Sequence, residues 1–121
     1  MKPESDFHST TEIPWTEISA ASSSASGPGV TERILSIDPE NPERKTRLIK
    51  MEPGFRGTQT LTHDFWEEVY VIKGSMIDEL NNIVCTEGFY CCRRPGMPHG
   101  PFFSPKGCFA VEFHYIPNNE G

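Results

Sequence analysis

Two imidazoles and one carboxylate stand at spacings that let them share a metal ion. His63 and Glu67 are separated by Asp64, Phe65 and Trp66, and His99 follows the segment Pro95-Gly96-Met97-Pro98. Neutral imidazole nitrogen and carboxylate oxygen together suit Fe²⁺, Zn²⁺, Mn²⁺, Ni²⁺ or Cu²⁺. Three protein donors leave coordination positions open, as a catalytic or ligand-sensing centre requires. If residues 64–66 make a tight loop between antiparallel strands, His63 and Glu67 face each other at roughly 5 Å between Cβ atoms. Val69 and Val71 then share the face of Glu67 and wall the site with apolar surface.

Strands must do the positioning. Lys45 to Met51 reads as a strand, stopped by Glu52-Pro53-Gly54, and Thr58 to His63 as another with Gln59, Leu61 and His63 on one face. Glu67 to Lys73 is strongly β-prone. Met76 to Leu80 and Ile83 to Cys85 flank an Asn81-Asn82 turn. Phe89 to Arg93 and Cys108 to Ile116 complete the set, with no convincing helix. Short strands punctuated by Gly, Pro and Asn predict an all-β sandwich or barrel closed against its own edges. Residues 1–30 are rich in Ser, Thr, Pro and Gly, which predicts a flexible arm or one exchanged across a dimer, with Trp15 packed on the neighbour. The barrel is expected over 31–117 and a short tail over 118–121.

Composition narrows the partners. A chain of 121 residues is expected to be one domain. A formal charge of −6, with no basic run longer than Arg93-Arg94, argues against nucleic acid. No apolar run reaches the roughly 18 residues of a membrane span, and the polar start does not read as a secretory signal. The expectation is a cytoplasmic protein whose four cysteines, Cys85, Cys91, Cys92 and Cys108, are small buried thiols rather than a disulfide framework.

The motifs resemble those of the cupin superfamily, small jelly-roll barrels that hold a metal. The first cupin motif ends in His, a short spacer, Glu, six residues and Gly, matched by His63, Glu67 and Gly74. The second is matched by Gly88, Gly96 and His99, with Arg94 where the motif carries Pro. Leu61 occupies the place of the first motif histidine. The run Glu67-Glu68 through Val71 and Gly74 to Asp78 is similar to the cupin domain of zinc-binding anti-sigma factors and to small dioxygenase-like cupins. The resemblance implies an all-β cupin jelly-roll barrel of two antiparallel sheets, holding one divalent transition metal at His63, Glu67 and His99. In composition that set resembles the two-histidine, one-carboxylate sites of non-haem iron oxygenases.

Further residues are weighed beside the three. Glu112 and His114 alternate with apolar positions on the last strand and are assigned to the solvated face, with His114 kept as a pocket candidate. Gln59, Tyr90 and Arg94 are the other pocket candidates; of Arg93 and Arg94 only one can look inward. The expected function is an enzyme of dioxygenase type, or a lyase or isomerase, acting on a small organic molecule, with Glu67 and His99 catalytic. Two alternatives stay open: a non-catalytic ligand- or metal-sensing module, and a metal-free cupin working by acid–base chemistry alone. A homodimer is expected.

Overall fold

The computed structural model describes residues 1–18 and 27–116. Ten strands carry the chain: β1 Thr16–Glu17, β2 Val30–Ile37, β3 Lys45–Met51, β4 Phe55–Arg56, β5 Trp66–Gly74, β6 Met76–Asp78, β7 Ile83–Cys85, β8 Tyr90–Arg93, β9 Phe102–Ser104 and β10 Cys108–Tyr115. The one helical element among the described residues is a 3-10 turn, Thr10–Glu12. A six-stranded sheet runs β1-β2-β3-β10-β5-β8 and a four-stranded sheet β4-β9-β6-β7. Each strand pair is antiparallel. This is the expected fold, and no described helix is long and apolar enough to cross a membrane.

Strands β3 and β7 fall where the sequence pattern puts them. Strand β2 is masked in sequence by its polar residues, and β4 and β9 are only two and three residues long. The expected strand over Thr58 to His63 is absent. That segment is a loop touching its neighbour at a single bridge, Leu61 with His99. Between Gly57, which donates to Phe102 O, and that bridge, nothing in sequence forces a continuous ladder.

The interior face of the large sheet is graded from apolar to charged. At one end Val30, Met51 and Cys108 lie side by side in register, and Ile49 pairs with Ala110 in the next row. Farther along, Arg47 pairs with Glu112, and last comes the row Lys45, His114, Glu67 and Arg93. Phe55 and Met76 from the small sheet close the apolar end, and Phe102 lies farther along, near Arg93 and His99. Gly74 also closes the apolar end. Its φ of +81° and the approach of the Gly107 carbonyl leave no room for a Cβ.

The charged end is held by ion pairing. Arg47 is wholly buried and donates through Nε and a terminal nitrogen to Glu112 Oε1 at 2.8 and 2.7 Å, and through the other terminal nitrogen to Glu32 Oε1 at 2.9 Å. Lys45 Nζ lies 4.0 Å from the same Glu32 oxygen. Buried carboxylates are tolerable only with such partners.

On the outer face, β1 pairs with β2 of the same chain. Trp15 meets Phe109 edge-on at 5.9 Å between centroids, with Arg33 and Lys50 over its ring at 4.3 and 4.7 Å. The contacts envisaged for Trp15 across a dimer are thus available within one chain. The Ser-rich stretch 19–26 and the expected tail lie outside the described residues.

Arg47→Met should destabilise the fold by about 3–5 kcal/mol, because Glu112 and Glu32 would keep their burial and lose the guanidinium. Urea unfolding of both proteins checks this; equal midpoints would show that the buried pair contributes nothing.

Candidate metal centre

Three backbone hydrogen bonds bring the distant ligand segments together. Leu61 N donates to His99 O at 2.9 Å, His99 N to Leu61 O at 3.0 Å, and Gly96 N to His63 O at 2.9 Å. Gly96 makes its bond from a φ of +81°, a conformation that favours glycine. Strand β5 supplies Glu67 from below, buried at 2% exposure.

Both imidazoles are oriented the same way. His63 Nδ1 lies 3.1 Å from Phe65 O and His99 Nδ1 3.2 Å from Met97 O. A carbonyl only accepts, so each Nδ1 carries the proton and each Nε2 keeps a lone pair. Those two Nε2 atoms and Glu67 Oε2 are buried without a hydrogen-bond partner. His63 Nε2 stands 3.6 Å from Glu67 Oε1, and one donor atom from each of His63, Glu67 and His99 lies within 4.8 Å of the others. Orphaned lone pairs on imidazole nitrogen and carboxylate oxygen are what a divalent transition metal takes up, and carbonyl-tethered imidazole is the usual ligand arrangement. The residues fit the group. Burial pushes the His99 imidazole below its ordinary pKa and keeps it in the neutral, ligating form.

His114 is the residue that sequence alternation misplaces. Alternation puts it and Glu112 outside, yet they are 1% and 5% exposed and face the interior. The reason is visible in register. Their β10 neighbours Phe113 and Tyr115 take the outer face, while Arg47 and Glu67 wait across the adjacent strands. The signal is present in β3, whose Lys45 and Arg47 alternate in the same sense. His114 Nε2 lies 3.1 Å from Glu112 Oε1 and 2.9 Å from Glu67 Oε2, and its hydrogen bond is directed to Glu112. Burial lowers the pKa of His114, but the two carboxylates overcome this and raise it. Burial raises that of Glu67, and the imidazoles of His114 and His63 hold it well below the ordinary carboxylate range. Burial likewise raises Glu112, and Arg47 brings it down. Phe65 stacks on His63 at 4.0 Å and on His114 at 4.5 Å, an apolar spacer between them.

The other pocket candidates fare differently. Gln59 is exposed, in a segment that is a loop. Arg94 is exposed and Arg93, 7% exposed, is the inward member of the pair, because Arg93 pairs in register with Glu67. Tyr90 is 58% exposed and its hydroxyl donates to Glu68, and the residue also lines a cavity between the two sheets.

The model of the ChrR cupin-like domain matches residues 4–115. Among solved structures, an RmlC-like cupin from Shewanella frigidimarina is similar at 21% identity and TM-score 0.69, over 97% of this chain and 95% of that one. An acetylacetone dioxygenase from Acinetobacter johnsonii is similar at 18% identity and TM-score 0.69, over 98% and 82%. The Rhodobacter sphaeroides complex of SigE with the anti-sigma ChrR is similar at 18% identity and TM-score 0.61, over 87% of this chain and 51% of that one. At these identities the likeness shows the fold. A search of curated proteins finds no match.

Leu61 lies beside the centre, bridged to His99 through the backbone. Leu61→His should add a fourth donor and slow metal loss to a chelator by at least tenfold. Metal retained against EDTA over time measures it; an unchanged release rate would mean that position 61 does not reach the ion.

Proposed function

The chain belongs to the ChrR cupin-like family, and on that premise we propose that it binds one divalent transition metal through His63, Glu67 and His99. The metal serves an enzyme acting on a small organic molecule, of dioxygenase type or a lyase or isomerase. One observation carries this reading: His63, Glu67 and His99 bring buried donor atoms within 4.8 Å of one another, with the Nε2 lone pairs of both imidazoles unclaimed. Bound there, such an ion polarises a carbonyl oxygen as a Lewis acid and, where its identity permits, supplies redox chemistry.

The chain's own residues do the rest. Phe65 O and Met97 O hold the imidazole tautomers. Glu67 is a carboxylate at neutral pH and brings one negative charge to the ion. His114 and Glu112 orient Glu67 from behind, and the chain of charge continues to Arg47. His114 is a positioning residue in this scheme. Val69 and Val71, buried on the same strand as Glu67, give that side an apolar wall.

A second reading has its own support. The family takes its name from ChrR, and the similar ChrR structure is a complex with SigE, so a ligand-sensing module acting through a protein partner is the alternative.

His63→Ala, Glu67→Ala and His99→Ala should each reduce stoichiometric metal to a small fraction while the strand-rich circular dichroism spectrum persists. Mass spectrometry of the metal content, on protein prepared without chelator, decides the matter. Wild type with no stoichiometric metal, or variants retaining as much as wild type, would overturn the metal reading in favour of acid–base chemistry by His and Glu alone.

A further inference from the structure

The two sheets part along one side. Strand β8 ends the large sheet and β7 ends the small one, and the two do not pair. Between them lies a cavity of about 90 Å³. Val69 and Val71 form its wall on the large sheet, and Met76 and Ile83 on the small one. Its rim residues Ile83 and Phe89 are 46% and 44% exposed, so the cavity opens to solvent there. Its charged lining is a buried pair, Asp78 and Arg93, beside Cys85, Cys91 and Tyr90.

We infer that this cavity receives the substrate of the metal centre, and that the substrate is a small monoanionic organic acid whose oxygen end rests on Arg93. The inference rests on His63, Glu67 and His99 holding the ion.

Arg93 carries the argument because it borders both places. It lies opposite Glu67 in the β5–β8 register, and its guanidinium stands 6.0 Å from the Phe102 ring, which is 5.8 Å from the His99 ring. It is also under-used. The Cys91 thiol is beside it, its contact with Asp78 Oδ2 is a long 3.3 Å, and its Nε is buried with no hydrogen-bond partner. A planar guanidinium with a free donor in an apolar cavity recognises carboxylate or enolate oxygen. Asp78 is better satisfied, taking Asn81 Nδ2 at 2.8 Å and Asn81 N at 3.3 Å, so it holds Arg93 in place without exhausting it.

Charge selects the monoanion. Asp78 and Arg93 cancel, as do Lys45 and Arg47 against Glu32 and Glu112, so that with His114 neutral a divalent ion on Glu67 leaves one positive charge in a buried setting. One negative charge from the ligand balances it; a neutral ligand leaves it and a dianion overshoots. Size selects a short body. The cavity is smaller than the roughly 150 Å³ that accepts benzene, which favours a short aliphatic chain over a ring.

The test uses zinc-loaded full-length protein, because zinc undergoes no redox change. Butanoate, butanamide and succinate are titrated calorimetrically, and zinc content is measured on the same samples. Butanoate should bind at least tenfold more tightly than either competitor. Arg93→Met combined with Asp78→Asn should keep zinc and weaken butanoate at least tenfold. Ile83→Trp, which fills the mouth of the cavity from the small sheet and leaves the partners of Arg93 in place, should keep zinc and abolish butanoate binding. Zinc-loaded wild type that ignores butanoate, or both folded variants binding it as wild type does, overturns this inference and leaves the metal centre standing. Wild type that takes up no zinc overturns both.

Discussion

Arg47 is the hinge of the whole arrangement. A guanidinium without solvent contact, held between Glu112 and Glu32, lets a barrel of this size carry carboxylates in its interior. From Glu112 the chain of contacts passes to His114 and then to Glu67. Without that cation the second carboxylate would be an uncompensated charge beside the first, and burial would drive both toward their neutral acids. The graded interior follows. Apolar rows from Val30 to Ala110 supply cohesion at one end, which leaves the other end free to be polar.

The centre is preorganised by backbone and not by the ligands' own side chains. Hydrogen bonds tie residues 61–63 to residues 96–99, and each imidazole is fixed by a carbonyl two residues away. Donors held by backbone in this way need little reordering to meet an ion. The same hydrogen bonds make the two loops partners: a change that moves one moves the other.

Much of this was legible in the residues. His63, Glu67 and His99 could be read from type and spacing, and Gly74, Gly88 and Gly96 framed them. Strand β3 was legible up to its stop at Glu52-Pro53-Gly54. What alternation could not give was its direction on β10, where Phe113 and Tyr115 face out while Glu112 and His114 face in. A polar-outward rule presumes a wholly apolar core, and this core is not one. Arg93 and Arg94 posed the same ambiguity; the β5–β8 register resolves it. Strands β4 and β9, two and three residues long, leave too little pattern to read.

Gly74 has a consequence for how such chains are recognised. It belongs to the same motif as His63 and Glu67, yet it lies at the opposite, apolar end of the barrel, where the Gly107 carbonyl forbids any side chain. Gly96 is similar: it serves a hydrogen bond between loops rather than an ion. Selection on these glycines is therefore steric, and it would continue in a descendant that had abandoned its metal altogether. Part of the motif is a signature of barrel closure and part a signature of coordination, and the two can drift apart. Leucine stands at position 61, where the cupin motif carries a histidine, while Gly74 and Gly96 keep their steric places.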